Sequence, residues 1–251
     1  MTDLLRHARK AAIAVACGAL FATSAPAWAE DIDAEALAAV TEHGERLRTL
    51  GTFSIDAELV FEEVMETGEK ITVIEQITAD VRAPNGIRMT KSMPDRKRVL
   101  FFDGQKVVLW SPILKFYAEM PFEGTTAEMI GAAAERAGYE LPLSDLFIWG
   151  VDPADVEAVT QAAYIGQAMI DGRLCDQYAL RQEDADWQIW IDTAEPKLAC
   201  RYAIVDLTDE AHPIFQATVR IDTDVDLADS RFTFEAPEGA ERIQFIAPSA
   251  E

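Results

Sequence analysis

Thr52-Phe53-Ser54-Ile55-Asp56-Ala57-Glu58-Leu59-Val60-Phe61-Glu62 sets apolar Phe53, Ile55, Ala57, Leu59 and Phe61 against polar Ser54, Asp56, Glu58 and Glu62. A period of two sends successive side chains to opposite faces, so this stretch predicts a strand with one buried and one wet face. Such a strand belongs to an antiparallel sheet covered on one side. Downstream, Thr67-Gly68 turns the chain into a second long strand over 71–81, and Asn85-Gly86 marks the next turn. Shorter strands follow over 87–93, 98–102, 106–110 and 115–120, separated by Pro94-Asp95, Asp103-Gly104 and Ser111-Pro112. Connections this short join antiparallel neighbours, so the segment reads as a meander.

Upstream, residues 31–50 carry Leu37, Val40, Gly44, Leu47 and Leu50 at helical spacing, with Asp31 or Asp33 to cap the start and Gly51 to end it. Residues 125–163 interrupt the strands. Thr125-Thr126-Ala127-Glu128 is a capping box, and Ile130, Ala133, Ala134 and Ala137 form a weak apolar stripe ending at Gly138. Leu141-Pro142-Leu143-Ser144-Asp145-Leu146-Phe147-Ile148-Trp149 is unusually apolar for a connection, and Asp152-Pro153 is a helix start with proline in the first turn. None of these helices is apolar enough to stand alone, so they must cover something. Strands resume over 164–170, 174–182, 187–192, 198–206 and 214–225, and a last piece from Phe232 to Ile246 closes the chain. The fold class is α+β: a long antiparallel sheet, a helix before it and a helical insertion in its middle.

Residues 1–29 have the pattern of a secretory signal peptide. Arg6, Arg9 and Lys10 precede an apolar run from Ala11 to Ala22, and Ala27-Trp28-Ala29 offers small residues to a peptidase. The run is shorter than the ~20 residues of a membrane span. Cys17 follows Lys10 too closely, with the apolar run continuing past it, to be a lipid-modified cysteine. Cleavage after Ala29 predicts a mature chain of residues 30–251, one monomeric periplasmic domain with little ATP or nicotinamide cofactor around it. The chain has 22 basic and 44 acidic residues. Three of the former and one of the latter (Asp3) lie in the leader, leaving 19 against 43 and a net charge of −24. That surface repels nucleic acid and anionic headgroups.

Cys175 and Cys200 remain after cleavage, and an oxidising compartment favours a bridge between them. Strand arithmetic opposes it. Turns at 183–185 and 194–197 place Cys175 opposite about Asp192 and Cys200 opposite about Ile191, two strand spacings or ~10 Å apart, beyond the ~7 Å a disulfide tolerates. A bulge would bring them closer. His43 and His212 stand far apart without ligand-spaced neighbours, so no metal or other cofactor is expected. No Gly-x-Ser-x-Gly and no Gly-rich phosphate loop is present. His212 beside Pro213 reads as a loop residue. Asp186 and Asp192 bracket an aromatic strand as a glycosidase pair would, but among 43 acids a pair means little.

Aromatic residues are the sharper signal. In Asp186-Trp187-Gln188-Ile189-Trp190-Ile191-Asp192, Trp187 shares a face with Ile189 and Ile191, and Trp190 lies on the other. Trp110, Phe116 and Tyr117 precede the insertion; Ile130, Leu146, Phe147 and Trp149 lie within it. This set is either ordinary core or the lining of an apolar cavity with the helices as its cover.

Asp103-Gly104, the run from Leu141 to Phe147, Tyr164-Ile165-Gly166, Asp171-Gly172 with Cys175-Asp176, the strand from Asp186 to Ile191, and Phe232-Thr233-Phe234-Glu235-Ala236-Pro237-Glu238-Gly239-Ala240 together resemble a family of periplasmic proteins similar in fold to the outer-membrane lipoprotein carriers LolA and LolB. The resemblance spans nearly all of the mature chain. It implies a strongly curved antiparallel sheet, an incomplete barrel, with a helical lid over 125–163 and an apolar interior that in the carriers holds acyl chains. No residue-level acyl-binding motif carries over. The expected function is a non-enzymatic carrier or binder of a lipid-like, acylated or other hydrophobic ligand, with Trp110, Phe116, Ile130, Leu146, Phe147, Trp149, Trp187 and Trp190 as candidate lining. The rivals are an envelope interaction module whose interior is filled by Trp110, Phe147, Trp187 and Trp190 and whose acidic surface meets a basic protein, and a hydrolase using Asp186 and Asp192.

Overall fold

The computed structural model describes residues 32–137 and 141–245. The signal peptide over 1–29 with its cleavage point, the alternative cap Asp31, the helix-ending Gly138 and the terminal Ile246 lie outside the described residues.

Helix α1 (Ala34–Thr49) starts at Asp33, whose carboxylate accepts from Glu35 N at 2.9 Å and Ala36 N at 3.2 Å. Arg46 and Arg48 complement the dipole of its last turn. After Gly51 the period changes to two and the sheet begins: β1 (Thr52–Val64), β2 (Lys70–Arg82), β3 (Gly86–Met93), β4 (Arg96–Phe102), β5 (Lys106–Ser111) and β6 (Phe116–Pro121) form a continuous antiparallel meander. As the alternation requires, Phe53, Ile55, Ala57 and Leu59 of β1 are buried while Asp56 and Glu58 face water.

Three helices follow. In α2 (Thr126–Ala137) the capping box closes as read: Thr125 N donates to Glu128 Oε2 at 2.8 Å, and Glu128 N donates to Thr125 Oγ1 at 3.2 Å. The apolar run 141–149 contains a short helix, α3 (Ser144–Ile148), and α4 (Pro153–Glu157) is capped by Asp152 through Ala154 N at 2.9 Å. The second set of strands is β7 (Gln161–Ile170), β8 (Arg173–Arg181), β9 (Ala185–Asp192), β10 (Ala199–Asp206) and β11 (Ile214–Asp222). β11 pairs antiparallel with β1, and a short β12 (Glu241–Ile243) lies parallel to β6. The result is one open, curved sheet of twelve strands in the order β12-β6-β5-β4-β3-β2-β1-β11-β10-β9-β8-β7.

The inner face carries Ile77, Ala79, Met89, Leu100, Phe102, Val107, Ala217, Val219, Tyr202 and Ile189, and packs against Val40 and Leu47 of α1, Met129, Ile130 and Ala133 of α2, and Leu146 of α3. The insertion therefore lies on the inner face, as a cover must. The outer face is covered locally by residues 229–243. Phe234 sits on Phe101, Trp110 and Tyr117 with ring centroids 5.4, 5.7 and 5.1 Å away. Arg231 Nε reaches Asp80 Oδ2 at 2.5 Å, and Arg82 pairs with Asp229.

The expectation against a Cys175–Cys200 disulfide is wrong. Cys175 does lie opposite Asp192, as the arithmetic says. In β10, however, Ala199 pairs with Ile191 and Arg201 with Trp190, so Cys200 is an extra, unpaired residue. This bulge bends the strand and brings Cys200 over β9 to within 6.8 Å, Cα to Cα, of Cys175, and the sulfurs are bonded. Ile170, Ala168 and Trp190 pack around the bridge. Both thiols are thus expected to be absent from the denatured, non-reduced protein in a thiol titration, and one free thiol per site would refute the pairing. The 25-residue loop it closes predicts that Cys175→Ser with Cys200→Ser lowers unfolding stability by about 3 kcal/mol in urea titrations.

Candidate functional site: two cavities beneath the helices

Helix α3 divides the space between the helices and the inner face. On one side is a cavity of about 220 Å³, lined by Val40, His43 and Gly44 of α1, Leu146 and Trp149 at α3, Trp187 and Ile189 of β9, and Tyr202 of β10. On the other side is a groove of about 660 Å³ between α2 and β1–β3, lined by Leu59, Phe61, Ile130, Gly131, Leu141 and Phe215. Asp145 and Ile204 line both, so the wall between them is one short helix and one side chain.

The eight aromatic and aliphatic candidates separate accordingly. Leu146, Trp149 and Trp187 meet at the smaller cavity, where Trp149 stands edge-on to Trp187 at 5.0 Å. Ile130 lines the groove. Phe147 stacks on Phe53 at 6.1 Å, holding α3 to the start of β1. Phe147 and the remaining three line neither cavity. Trp110 faces outward beneath Phe234, because Leu109 is the residue of β5 in phase with the inner face. Phe116 begins the near-edge strand β6 and is 38 % exposed. Trp190 lies on the outer face of β9 against the disulfide. The interaction-module filling by Trp110, Phe147, Trp187 and Trp190 is therefore not assembled: Trp110 and Trp190 lie on the outer face, Phe147 and Trp187 on the inner side.

The carboxylates weighed for hydrolysis have structural partners. Asp186 holds Arg181 through two contacts of 2.5 and 2.6 Å, and Asp192 accepts from Ala194 N at 2.9 Å in the β9–β10 turn. Both belong to the outer face, with Trp190 rather than Trp187. His212 is an exposed turn residue with φ of 47°. Among the described residues no three metal-ligating side chains come together.

Several lining residues were not among the sequence candidates for the cavity. His43 is buried, and its Nε2 accepts from Ala199 N at 3.1 Å, tying α1 to the residue before the bulge. Burial, aided by Arg46 and Arg48, lowers its pKa from 6.5 to about 4, so the ring stays neutral at ordinary pH. Tyr202 is 3 % exposed, and burial with the nearby Asp145 holds its hydroxyl pKa well above the usual tyrosine value. On the groove side, Glu75 pairs with Lys91 Nζ at 2.7 Å, a charged couple on an otherwise apolar face. Strand phase was the available signal for Tyr202 and Glu75: Tyr202 shares a face with Ile204, and Glu75 with Ile77.

The family model for "Predicted periplasmic protein (DUF2092)" matches residues 36–246. The chain belongs to that family. Its proteins are periplasmic, which agrees with a disulfide in the fold. No curated protein matches the chain in sequence. Among solved structures it is similar to the lipoprotein LppX of Mycobacterium tuberculosis, 13% identical over 78% of this chain and 100% of that one, with a TM-score of 0.49. A LolA superfamily protein from Nitrosomonas europaea is 9% identical over 79% of this chain and 97% of its own, with a TM-score of 0.40. MucB of Pseudomonas aeruginosa, solved with MucA, is 14% identical over 81% of this chain and 62% of that one, with a TM-score of 0.41.

His43 gives this DUF2092 protein a defined acid sensitivity. Its folded pKa lies below the unfolded value, so the neutral ring's contribution is complete above about pH 6.5 and is lost as pH falls towards 4. Protonation would also turn Nε2 from an acceptor into a donor facing the Ala199 N–H. The wild type should lose roughly 3 kcal/mol more stability than His43→Gln between pH 7 and pH 4. Parallel urea titrations of the two proteins check this; curves that run parallel across that window would refute it.

Proposed function

We propose that this periplasmic protein is a non-enzymatic binder or carrier of a hydrophobic, lipid-like or acylated ligand. One observation carries the reading: an apolar groove of about 660 Å³ lies between helix α2 and the inner face of the sheet, with a second apolar cavity behind α3. That volume falls within the range of small-molecule sites. Burying methylenes contributes about 0.8 kcal/mol each, so a chain of about a dozen offsets the ordering cost of binding without any external energy source. The ligand would enter under the insertion and displace nothing covalent. The acidic exterior complements a basic envelope protein as donor or acceptor, an attraction that salt weakens.

Gly131 offers a direct test. It lines the groove from α2, and nothing stands within 4 Å of the position its Cβ would take. Gly131→Trp should therefore fill the groove without backbone conflict and slightly favour the helix. The protein purified from the periplasm should carry extractable lipid in native mass spectrometry and enhance Nile red emission. The Gly131→Trp variant, with an unchanged circular dichroism spectrum, should bind the dye about tenfold or more weakly, a loss of the size expected when an apolar site is blocked. A wild type that emerges free of lipid and leaves the dye dark would overturn the carrier reading.

A further inference from the structure

Two buried hydrogen-bond donors, on side chains that line the smaller cavity, have no acceptor among the described residues. The Tyr202 hydroxyl is one, on a side chain almost wholly withdrawn from water; Trp149 Nε1 is the other. Both residues line this cavity. Trp187, on the same cavity, shows the contrast, since its Nε1 donates to Gln182 Oε1 at 3.2 Å. Buried polar atoms are nearly always paired, and leaving one unpaired costs more than an ordinary hydrogen bond contributes. Two such donors, on side chains of one cavity, are left for an incoming acceptor to satisfy.

The charges around the cavity select the kind of acceptor. Asp145 and Asp184 line it, neither Lys nor Arg does among the described residues, and His43 is neutral except in acid. A carboxylate entering here would give up hydration against a mostly apolar lining, with the Arg48 guanidinium held outside that lining on the Trp149 carbonyl at 3.0 Å. A neutral carbonyl oxygen would take the two donors and bring no charge. The cavity also adjoins the groove across Asp145 and Ile204, so the polar end of a hydrocarbon chain lying in the groove can reach it at α3.

We infer that the smaller cavity is a polar subsite for the neutral carbonyl of an acyl ester or amide, held by Tyr202 Oη and Trp149 Nε1, and that it discriminates against the free fatty acid. This rests on the carrier reading above and specifies the ligand class. Tyr202 and Trp149 set specificity; the groove supplies the greater part of the affinity.

The experiment is displacement of Nile red at pH 8 by three molecules of matched chain: methyl laurate, laurate and dodecane. Wild-type protein should bind methyl laurate about tenfold more tightly than laurate, whose carboxyl is fully ionised. Tyr202→Phe removes one oxygen and keeps the ring that packs on Phe215 at 5.5 Å. It should weaken methyl laurate about threefold to tenfold and leave dodecane unchanged. Trp149→Phe should do the same independently. Laurate binding as well as its ester, or an ester affinity indifferent to Tyr202→Phe, would overturn the inference while leaving the carrier reading in place. A Tyr202→Phe loss as large for dodecane as for the ester would overturn it too, by showing a packing defect. Failure of all three molecules to displace the dye from wild-type protein would overturn both readings.

Discussion

The pairing of β1 with β11 determines the rest of this molecule. It joins residues 54–61 to residues 215–222 and so places the first strand of the sheet in its middle, with one meander running outward to β6 and the other to β7. β6 and β7 are consecutive in the chain yet stand near opposite edges. The connection between them has to cross the sheet. The inner face is the apolar one, so the crossing segment lies there, and its small helices find in Phe53, Leu59, Met89 and Phe102 the apolar surface that they lack among themselves. A segment that spans a curved face at a distance set by small residues leaves space beneath it, and that space is the candidate site.

Much of this was legible from alternation, because a half-buried strand shows its faces directly. Residues 52–62, the Thr125–Glu128 capping box and the Asp152-Pro153 helix start all behave as local physics requires. What escaped was set by partners far away in sequence. Val107, Val108 and Trp110 are all buried, so β5 shows no alternation to read; its outer face is covered by Phe234, more than a hundred residues later. The error in placing Trp110 at the interior follows from that. The disulfide was missed for a different reason. Regular strand spacing is the right default, and a single inserted residue, Cys200, defeats it.

The candidate site was half visible. Leu146, Trp149 and Trp187 were found as aromatics and aliphatics in suggestive places, and they do share a cavity. His43 was passed over because a search for chemistry looks for clusters, whereas its work is to accept one backbone hydrogen bond in a dry place. Tyr202 lay in a strand already recognised, but an unmet hydroxyl is a property of the folded neighbourhood and leaves no trace in residue order. The two carboxylates that bracket Trp187 show the reverse: they stood out in the sequence, and the fold uses them to hold an arginine and a turn.

The disulfide and the C-terminal segment have something in common beyond lying on the outer face. One fastens β8 to β10 across β9; the other straps β2 through β6, from the Arg231–Asp80 contact to the parallel strand β12. The bend of the sheet is thus clamped from its back, one clamp in each half, independently of whatever lies against its front. A sheet braced in this way does not need anything against its front to keep its shape, and on the proposed carrier reading the short helices, rather than the wall, would move to admit a ligand.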